Sequence, residues 1–434
     1  MQTENLPAIP TESLNLYQSG REAVTKQRYN DAVDLLNQCL SSIPQDSQYD
    51  EFLARTHQAR GEAYWFLADY DAAETDFKTA LDISQTPTYQ ALALIGLGDV
   101  ADYQGNYEAA SAFYSDALKR AINTGSLRAV GLAYRGLGIV NRRQGNAEMA
   151  LSHLTQALAV FRQSGNAREQ ARVLTSIGRV RYARGEYQQA ISAHSESLKI
   201  LESLKDRWRT VLALNDLGEC YRALYDLSTA TTYHTRALGL VEAYEADVIK
   251  PDIQRNLGVD LISSGFLEEG LAYLNQALRN AQKLGNREQE ALILYSLARA
   301  QRENGDLDHA ISTVNRLEQV ADELDADRYR ALAFWRRAET LFAQDKREEA
   351  IPHIQNAMLA AQTALDRGLL WKLHAALGQM VADEAIAQVH LNIAADFIRQ
   401  TAEPLQDPNL KTRFLNAAPV LAILSAANID PSKI

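Results

Sequence analysis

The feature that most restricts this chain is a ruler of small residues forty positions long. Stepping by 40 from Gly98 lands on Gly138, Gly178, Gly218, Gly258, Ala298, Ala338 and Gly378. Twelve residues beyond the first seven stands a second small residue: Ala110, Ala150, Ala190, Ala230, Gly270, Ala310 and Ala350. The eighth step reaches His390 and breaks the pattern. Two earlier units continue it with slightly different spacing, Gly20 with Ala32 and Gly61 with Ala73. Small residues paired in this way let two antiparallel helices cross closely. A fixed period of this length is the mark of stacked repeats, and a length of 434 residues then no longer implies a count of globular domains.

Each unit has its own punctuation. Gly105-Asn106, Gly145-Asn146, Gly185-Glu186, Gly265-Phe266 and Gly305-Asp306 fall between the two helices of a unit. Gly125-Ser126, Gly165-Asn166 and Gly285-Asn286 fall between units. Glycine closes a helix in the left-handed conformation, and the polar residue after it caps the next helix. Inside a unit the apolar residues keep helical spacing, as in Ala150, Leu151, Leu154, Ala157, Leu158 and Phe161. With 46% hydrophobic residues and only 10 prolines the composition favours helix. One such helix pair cannot bury its apolar face alone, whereas ten stacked pairs can. The expectation is an all-α fold.

These residues resemble the tetratricopeptide repeat family. Its pattern is matched by Leu97-Gly98, Tyr107, Ala110, Tyr114 and Ala117, and again by Gly61, Tyr64, Tyr70, Ala73, Phe77 and Ala80, with Pro44 closing the first unit. The 40-residue unit is similar to the kinesin-light-chain and Leu-Gly-Asn-repeat type also found in bacterial signalling regulators. The resemblance implies a right-handed α-solenoid of about ten helix pairs over residues 11–406. Residues 1–10 are then a disordered tail, and 407–434 a C-terminal capping helix and tail. The segment Asp407–Ala427 resembles the closing segment of such arrays in large bacterial ATPase and cyclase regulators. It reads as one amphipathic helix, interrupted by Pro419, laid over the end of the array.

Catalytic and cofactor motifs do not emerge. The G-x-G of RGLGIV lies mid-helix, without the strand and third glycine that a dinucleotide site needs, so helix packing explains it. His194 and His234 stand one period apart, and His153 and His353 share the neighbouring position of their units. Equivalent positions in stacked pairs are about 10 Å apart, too far for one metal ion. They read as second-helix packing residues with a wet polar edge. No zinc-protease, nucleophile-elbow or phosphate-loop sequence appears. Cys39 and Cys220 are isolated, there is no secretory signal, and no apolar run approaches 18 residues. We expect a cytoplasmic protein that is not an enzyme, with no cofactor and no metal.

In repeats of this family the first helix of each unit lines the concave surface. Counting the recurrent glycine as position 8, residues at 2, 5, 9 and 12 share one helical face. At position 9 the steps Arg21–Glu62, Arg179–Glu219 and Arg299–Glu339 read as lateral ion pairs, each worth under ~1 kcal/mol if exposed. Position 5 carries Arg135, Asn215 and Arg255; position 12 carries Arg142, Arg222 and Arg302; position 2 carries Arg172. None of these arginines has an acid in the same column of the next unit. Residues 128–185 hold ten Arg, two Glu and no Lys, while the whole chain has formal charge −11. Arg without Lys favours planar, bidentate recognition of carboxylate or phosphate.

The candidate partner-binding set is therefore Arg135, Arg142, Arg143, Arg172, Arg179, Tyr182, Asn215, Arg222 and Arg255. Trp65, Phe66 and Tyr103 flank it on one side, Tyr295, Trp335 and Phe342 on the other. The expected function is an interaction scaffold or regulatory adaptor that holds an acidic peptide or protein segment in an Arg-lined groove. The alternative is a peptide-sensing regulator, or the sensor subunit of a separately encoded effector enzyme. Self-association stays open. Membrane is excluded as a partner by the hydropathy, and nucleic acid is disfavoured because residues 1–127 sum to −10 and 186–434 to −9.

Overall fold

The computed structural model describes residues 9–44, 46–243, 248–363 and 367–434. Among them are 22 α-helices and no strand. The chain divides into two compact units, with the boundary after Val173. The first unit holds α1 (Thr11–Thr25) with α2 (Tyr29–Ser42), α3 (Asp50–Phe66) with α4 (Tyr70–Ile83), α5 (Pro87–Tyr103) with α6 (Tyr107–Thr124), and α7 (Leu127–Arg143) with α8 (Ala147–Gln163). The boundary falls inside α9 (Ala167–Ala183).

The second unit continues with α10 (Tyr187–Ser203), then α11 (Arg207–Ala223) with α12 (Leu227–Ala243), and α13 (Lys250–Ser263) with α14 (Leu267–Lys283). It goes on through α15 (Arg287–Glu303) with α16 (Leu307–Leu324), α17 (Asp327–Ala343) with α18 (Arg347–Thr363), and α19 (Arg367–Met380) with α20 (Glu384–Ala402). Two short helices follow, α21 (Pro408–Leu415) and α22 (Ala418–Ala426). The ten expected pairs are thus α1 to α20, and each unit is an α-solenoid of helix pairs.

The recurrent glycines work by making room. A Cβ on Gly20 would meet Leu36, on Gly61 Phe77, on Gly98 Tyr114, and on Gly138 Leu154. In each case the side chain that fills the space stands sixteen residues further on, on the second helix. Gly96 and Gly136 do the same for the ring of the preceding pair, Phe77 and Tyr114 respectively. The G-L-G sequences are therefore sockets for two aromatic or apolar side chains, one on either side. At Gly258 and Gly270 the backbones themselves meet: a Cβ on Gly258 would lie 2.9 Å from the Gly270 carbonyl oxygen.

In two pairs this socket holds histidine. His194 fills the space at Gly178 and His234 the space at Gly218, with only 1% and 0% of their surface exposed. Both are packing residues, as the sequence predicts, but their polar edge is dry and not wet.

Turns follow the glycine punctuation, with Gly105 and Gly145 both at φ +77°. Asn146 N donates to Asn141 O at 2.8 Å, closing α7 in the usual left-handed cap. Where the turn glycine is missing, Ala68, Tyr225 and Asp345 take the same conformation at φ +61°, +59° and +61°.

At the amino end residues 1–8 of the expected tail lie outside the described residues, while Ile9 packs on the cluster of Cys39, Ile43 and Phe52. At the carboxyl end Pro419 splits the expected helix into α21 and α22. These two do more than cover the last pair. Phe414, Leu415, Val420 and Leu424 pack with Leu224, Tyr187, Ile191 and Tyr225 of α10 to α12. The Gln188 Oε1 accepts from the backbone N–H groups of Gln406 at 2.5 Å and Asp407 at 3.2 Å, and Arg413 pairs with Asp226. No described helix is long and apolar enough to cross a membrane.

Candidate functional site

The boundary divides the sequence-predicted arginines between the two units. In the first, the Tyr114 hydroxyl, wedged between Gly98 and Gly136, donates to Asp99 Oδ1 at 2.6 Å. Burial raises the Asp99 carboxyl above its ordinary range and outweighs the nearby Arg135 guanidinium, which favours its charged form. Glu169 stands between two arginines, 3.6 Å from Arg135 and 2.8 Å from Arg172. Arg143 reaches Asp102 at 3.1 Å, and Arg142 also acts on that carboxylate.

In the second unit Arg179 lies 3.1 Å from Asp216, which holds its guanidinium firmly charged. Arg222 reaches Asp260 at 3.3 Å, Glu219 at 3.6 Å and the Asn256 Oδ1 at 3.0 Å. Arg255 lies 3.5 Å from Glu219. The Asn256 amide joins the set by donating to Asn215 Oδ1 at 2.7 Å. Burial would raise the Glu219 carboxyl, but Arg222 and Arg255 outweigh it and hold it low. Burial pushes the Tyr182 hydroxyl well above 10, so it stays protonated.

These contacts correct the column-by-column reading. The acids that meet the arginines come from neighbouring columns or from the same turn of helix. Position counting along one column therefore missed them. Of the three lateral pairs expected at position 9, Arg21–Glu62 forms at 2.7 Å. Arg179 takes Asp216 instead, and Arg299 takes Glu303 at 2.7 Å while Arg302 faces Glu339 at 3.6 Å. Much of the positive block is neutralised within the protein.

One concavity of the second unit remains open. It is a chamber of about 1270 Å³ between the first helices α9, α11, α13, α15, α17 and α19 and the returning α20 to α22. Tyr182, Arg222 and Arg255 of the predicted set line it. So do Tyr295 and Trp335, which the sequence placed on its flank, and Trp371, Lys372, Arg413 and Phe414, which it did not. The Arg336 guanidinium is sandwiched 3.8 Å from the Tyr295 ring and 4.6 Å from Trp335, and pairs with Glu339. Seven Arg and Lys face two Glu in the lining. Three N–H groups of lining residues, Arg255 Nε, Arg302 Nε and Trp335 Nε1, are buried without an acceptor. Such donors are costly to leave unmade.

No group of three or more His, Cys, Asp or Glu side chains among the described residues could hold a metal ion. His374 and His390 form a pair, Nδ1 to Nδ1 at 2.8 Å, away from the chamber lining.

The family model described as tetratricopeptide repeat matches residues 52–123, 129–203, 169–243 and 251–323, together well over half of the chain. The chain belongs to the tetratricopeptide repeat family. Among solved structures this repeat array is similar to the apo form of the quorum sensor NprR from B. thuringiensis: 14% identity, TM-score 0.59, 80% of this chain and 97% of that one. A Rap protein complexed with Competence and Sporulation Factor matches at 16% identity and TM-score 0.55, over 88% of this chain and 99% of that one. A signal transduction ATPase from Pyrococcus horikoshii with a tetratricopeptide repeat sensor matches at 14% identity and TM-score 0.54, over 82% and 54%. At these identities the likeness is one of fold. No curated protein matches the sequence.

Proposed function

We propose that this protein is a non-catalytic, cytoplasmic interaction module that senses or holds a peptide or protein segment in the chamber of its second unit. The segment supplies carboxylates and carbonyl oxygens. One observation carries this reading: seven Arg and Lys against two Glu, with Tyr182, Tyr295, Trp335, Trp371 and Phe414 among them, line one cavity. A ligand rich in acceptors complements that lining, and aromatic and Arg anchors are the usual hot spots of interfaces. The Rap complex with Competence and Sporulation Factor and the quorum sensor NprR lend the peptide-sensing form its support. Two buried free thiols, Cys39 and Cys220, fit a reducing compartment. The resemblance to the sensor array of a signalling ATPase keeps a second form of the reading in play, a sensor that acts on a separately encoded effector.

The experiment is a native affinity purification of the wild type beside a Trp335→Leu/Arg302→Gln variant, with helicity checked by circular dichroism. Retained peptides and proteins are identified by mass spectrometry, and a synthetic copy of the bound segment is titrated by calorimetry. We expect a partner held by the wild type and bound at least about tenfold more weakly by the variant. The same partner at the same affinity on both would remove the chamber from consideration.

A further inference from the structure

The first unit carries two aromatic stacks at its tips, and repeat packing does not require the Phe66 and Tyr103 members of them. Tyr29 stacks on Phe66 with ring centroids 4.6 Å apart and planes 11° apart. One pair further on, Tyr70 stacks on Tyr103 at 4.0 Å and 27°. Phe66 and Tyr103 stand at the ends of α3 and α5, five residues after the recurrent glycine, and are 41% and 57% exposed. The same position holds Thr25, Arg143, Ala183, Ala223, Ser263, Glu303 and Ala343 in other pairs. Those pairs stack without a ring there.

The charge around the row is one-sided. The two tips, residues 66–71 and 103–108, contain Asp69, Asp71 and Glu108 and no Lys or Arg. All three acids are exposed. On the flanking tips Arg28 is tied to Asp31 at 3.1 Å and Arg143 to Asp102 at 3.1 Å. Asp69 caps α4 by accepting from the Ala72 N–H at 3.2 Å, and electron-rich ring faces beside carboxylates with no Lys or Arg on their own tips attract cations. Spacing adds a further constraint. Successive helix pairs repeat at about 10 Å, and a polyproline II segment presents the same face every three residues, about 9 Å along its axis. Such a segment brings residues i and i+3 over successive ring stacks, and it is already extended before binding, so little ordering entropy is lost.

We propose that the row of Tyr29, Phe66, Tyr70 and Tyr103 is a second interaction surface, whose partner is a proline-bearing basic segment in the polyproline II conformation. Prolines at i and i+3 pack on the two ring stacks, and an intervening or adjacent Arg or Lys lies against Asp69, Asp71 and Glu108.

The test uses the full chain and three synthetic dodecapeptides of equal length: Pro at every third position with Arg between, the same with Glu for Arg, and the Arg peptide with Gly for Pro. Calorimetry on the wild type should give saturable binding below about 1 mM for the first peptide only. A Phe66→Ser/Tyr103→Ser variant with unchanged circular dichroism should bind it at least tenfold more weakly. If that variant misfolds, Asp69→Asn/Asp71→Asn keeps the rings and Glu108 and should weaken binding while reducing its salt dependence. Equal binding of all three peptides, no saturable binding, or unchanged affinity in the folded variant would overturn the proposal. So would a wild-type dimer in sedimentation velocity that the Phe66→Ser/Tyr103→Ser variant converts to monomer, since the occupant would then be a second copy.

Discussion

His234 Nδ1 lies 2.5 Å from Asp260 Oδ2, and both side chains are completely buried. The same carboxylate takes Arg222 at 3.3 Å through its other oxygen. Replacing one Asp260 oxygen by an amide NH2 removes the buried negative charge and turns a donor toward either the Arg222 guanidinium or His234. Such a break costs about 3 kcal/mol or more. Asp260→Asn should therefore lower the urea midpoint of the second unit clearly, whereas His234→Leu, which restores the apolar filling seen at Leu154 and Leu274, should cost less. Equal and small effects of the two substitutions would show that the triad contributes little.

Tyr114 tests the socket idea. A Cβ on Gly98 would lie 2.7 Å from its Cε1, and one on Gly136 2.5 Å from its Cδ1. Gly98→Ala gains up to about 1 kcal/mol of helix propensity but overpacks a closed site, a cost of about 1–3 kcal/mol. The expectation is net destabilisation, relieved in a Gly98→Ala/Tyr114→Leu double variant. A Gly98→Ala protein melting above the wild type would mean that Tyr114 has room to move.

Acidification should weaken the second unit through His194. Burial, reinforced by Arg179, lowers its pKa despite the opposing pull of Asp216 and Glu219. An unfolded histidine titrates near about 6.5. Below that value the unfolded chain binds a proton that folded His194 refuses, so stability is complete above it and falls as pH drops toward the folded pKa. Melting temperatures at pH 7.5 and 5.5 should differ less in His194→Leu than in the wild type, by about 2 °C. Identical pH dependence in both proteins would remove His194 as a contributor.

Much of the fold was legible because each small residue repeats with the side chain that fills it. Gly138 with Leu154 and Gly98 with Tyr114 are visible as a spacing of sixteen once the period is known. The arginine network was not legible in the same way. Glu169 serves Arg135 and Arg172, and Asp260 serves Arg222, from positions outside the arginine columns. Side-chain reach of several ångströms decides such pairs, and a column count has no access to it. The chamber was half legible: Tyr182, Arg222 and Arg255 were named, and Trp335 was placed on the flank. Arg413 and Phe414 could not be, because their approach to Asp226 and Tyr225 depends on accumulated curvature over five helix pairs.

That closing contact yields the last prediction. Phe414 is 2% exposed and packs near the Tyr225 ring, 6.3 Å between centroids, while Arg413 pairs with Asp226 beside it. Tyr225 itself is held at φ +59°, where most other tips have glycine. A bulky residue in that region costs about 1–2 kcal/mol, a cost that packing of the Tyr225 ring against Phe414 helps to offset. Phe414→Ala removes a buried ring worth about 3 kcal/mol and should release α21 and α22 from α10 to α12 while leaving the other helices folded. Limited proteolysis should then cut between Glu403 and Asn416 in the variant and spare the wild type, and Tyr225→Gly in the Phe414→Ala background should raise stability by relieving the backbone. Resistance of Phe414→Ala to cleavage would show that Arg413, Gln188 and the remaining apolar contacts suffice to keep the chamber closed on that side.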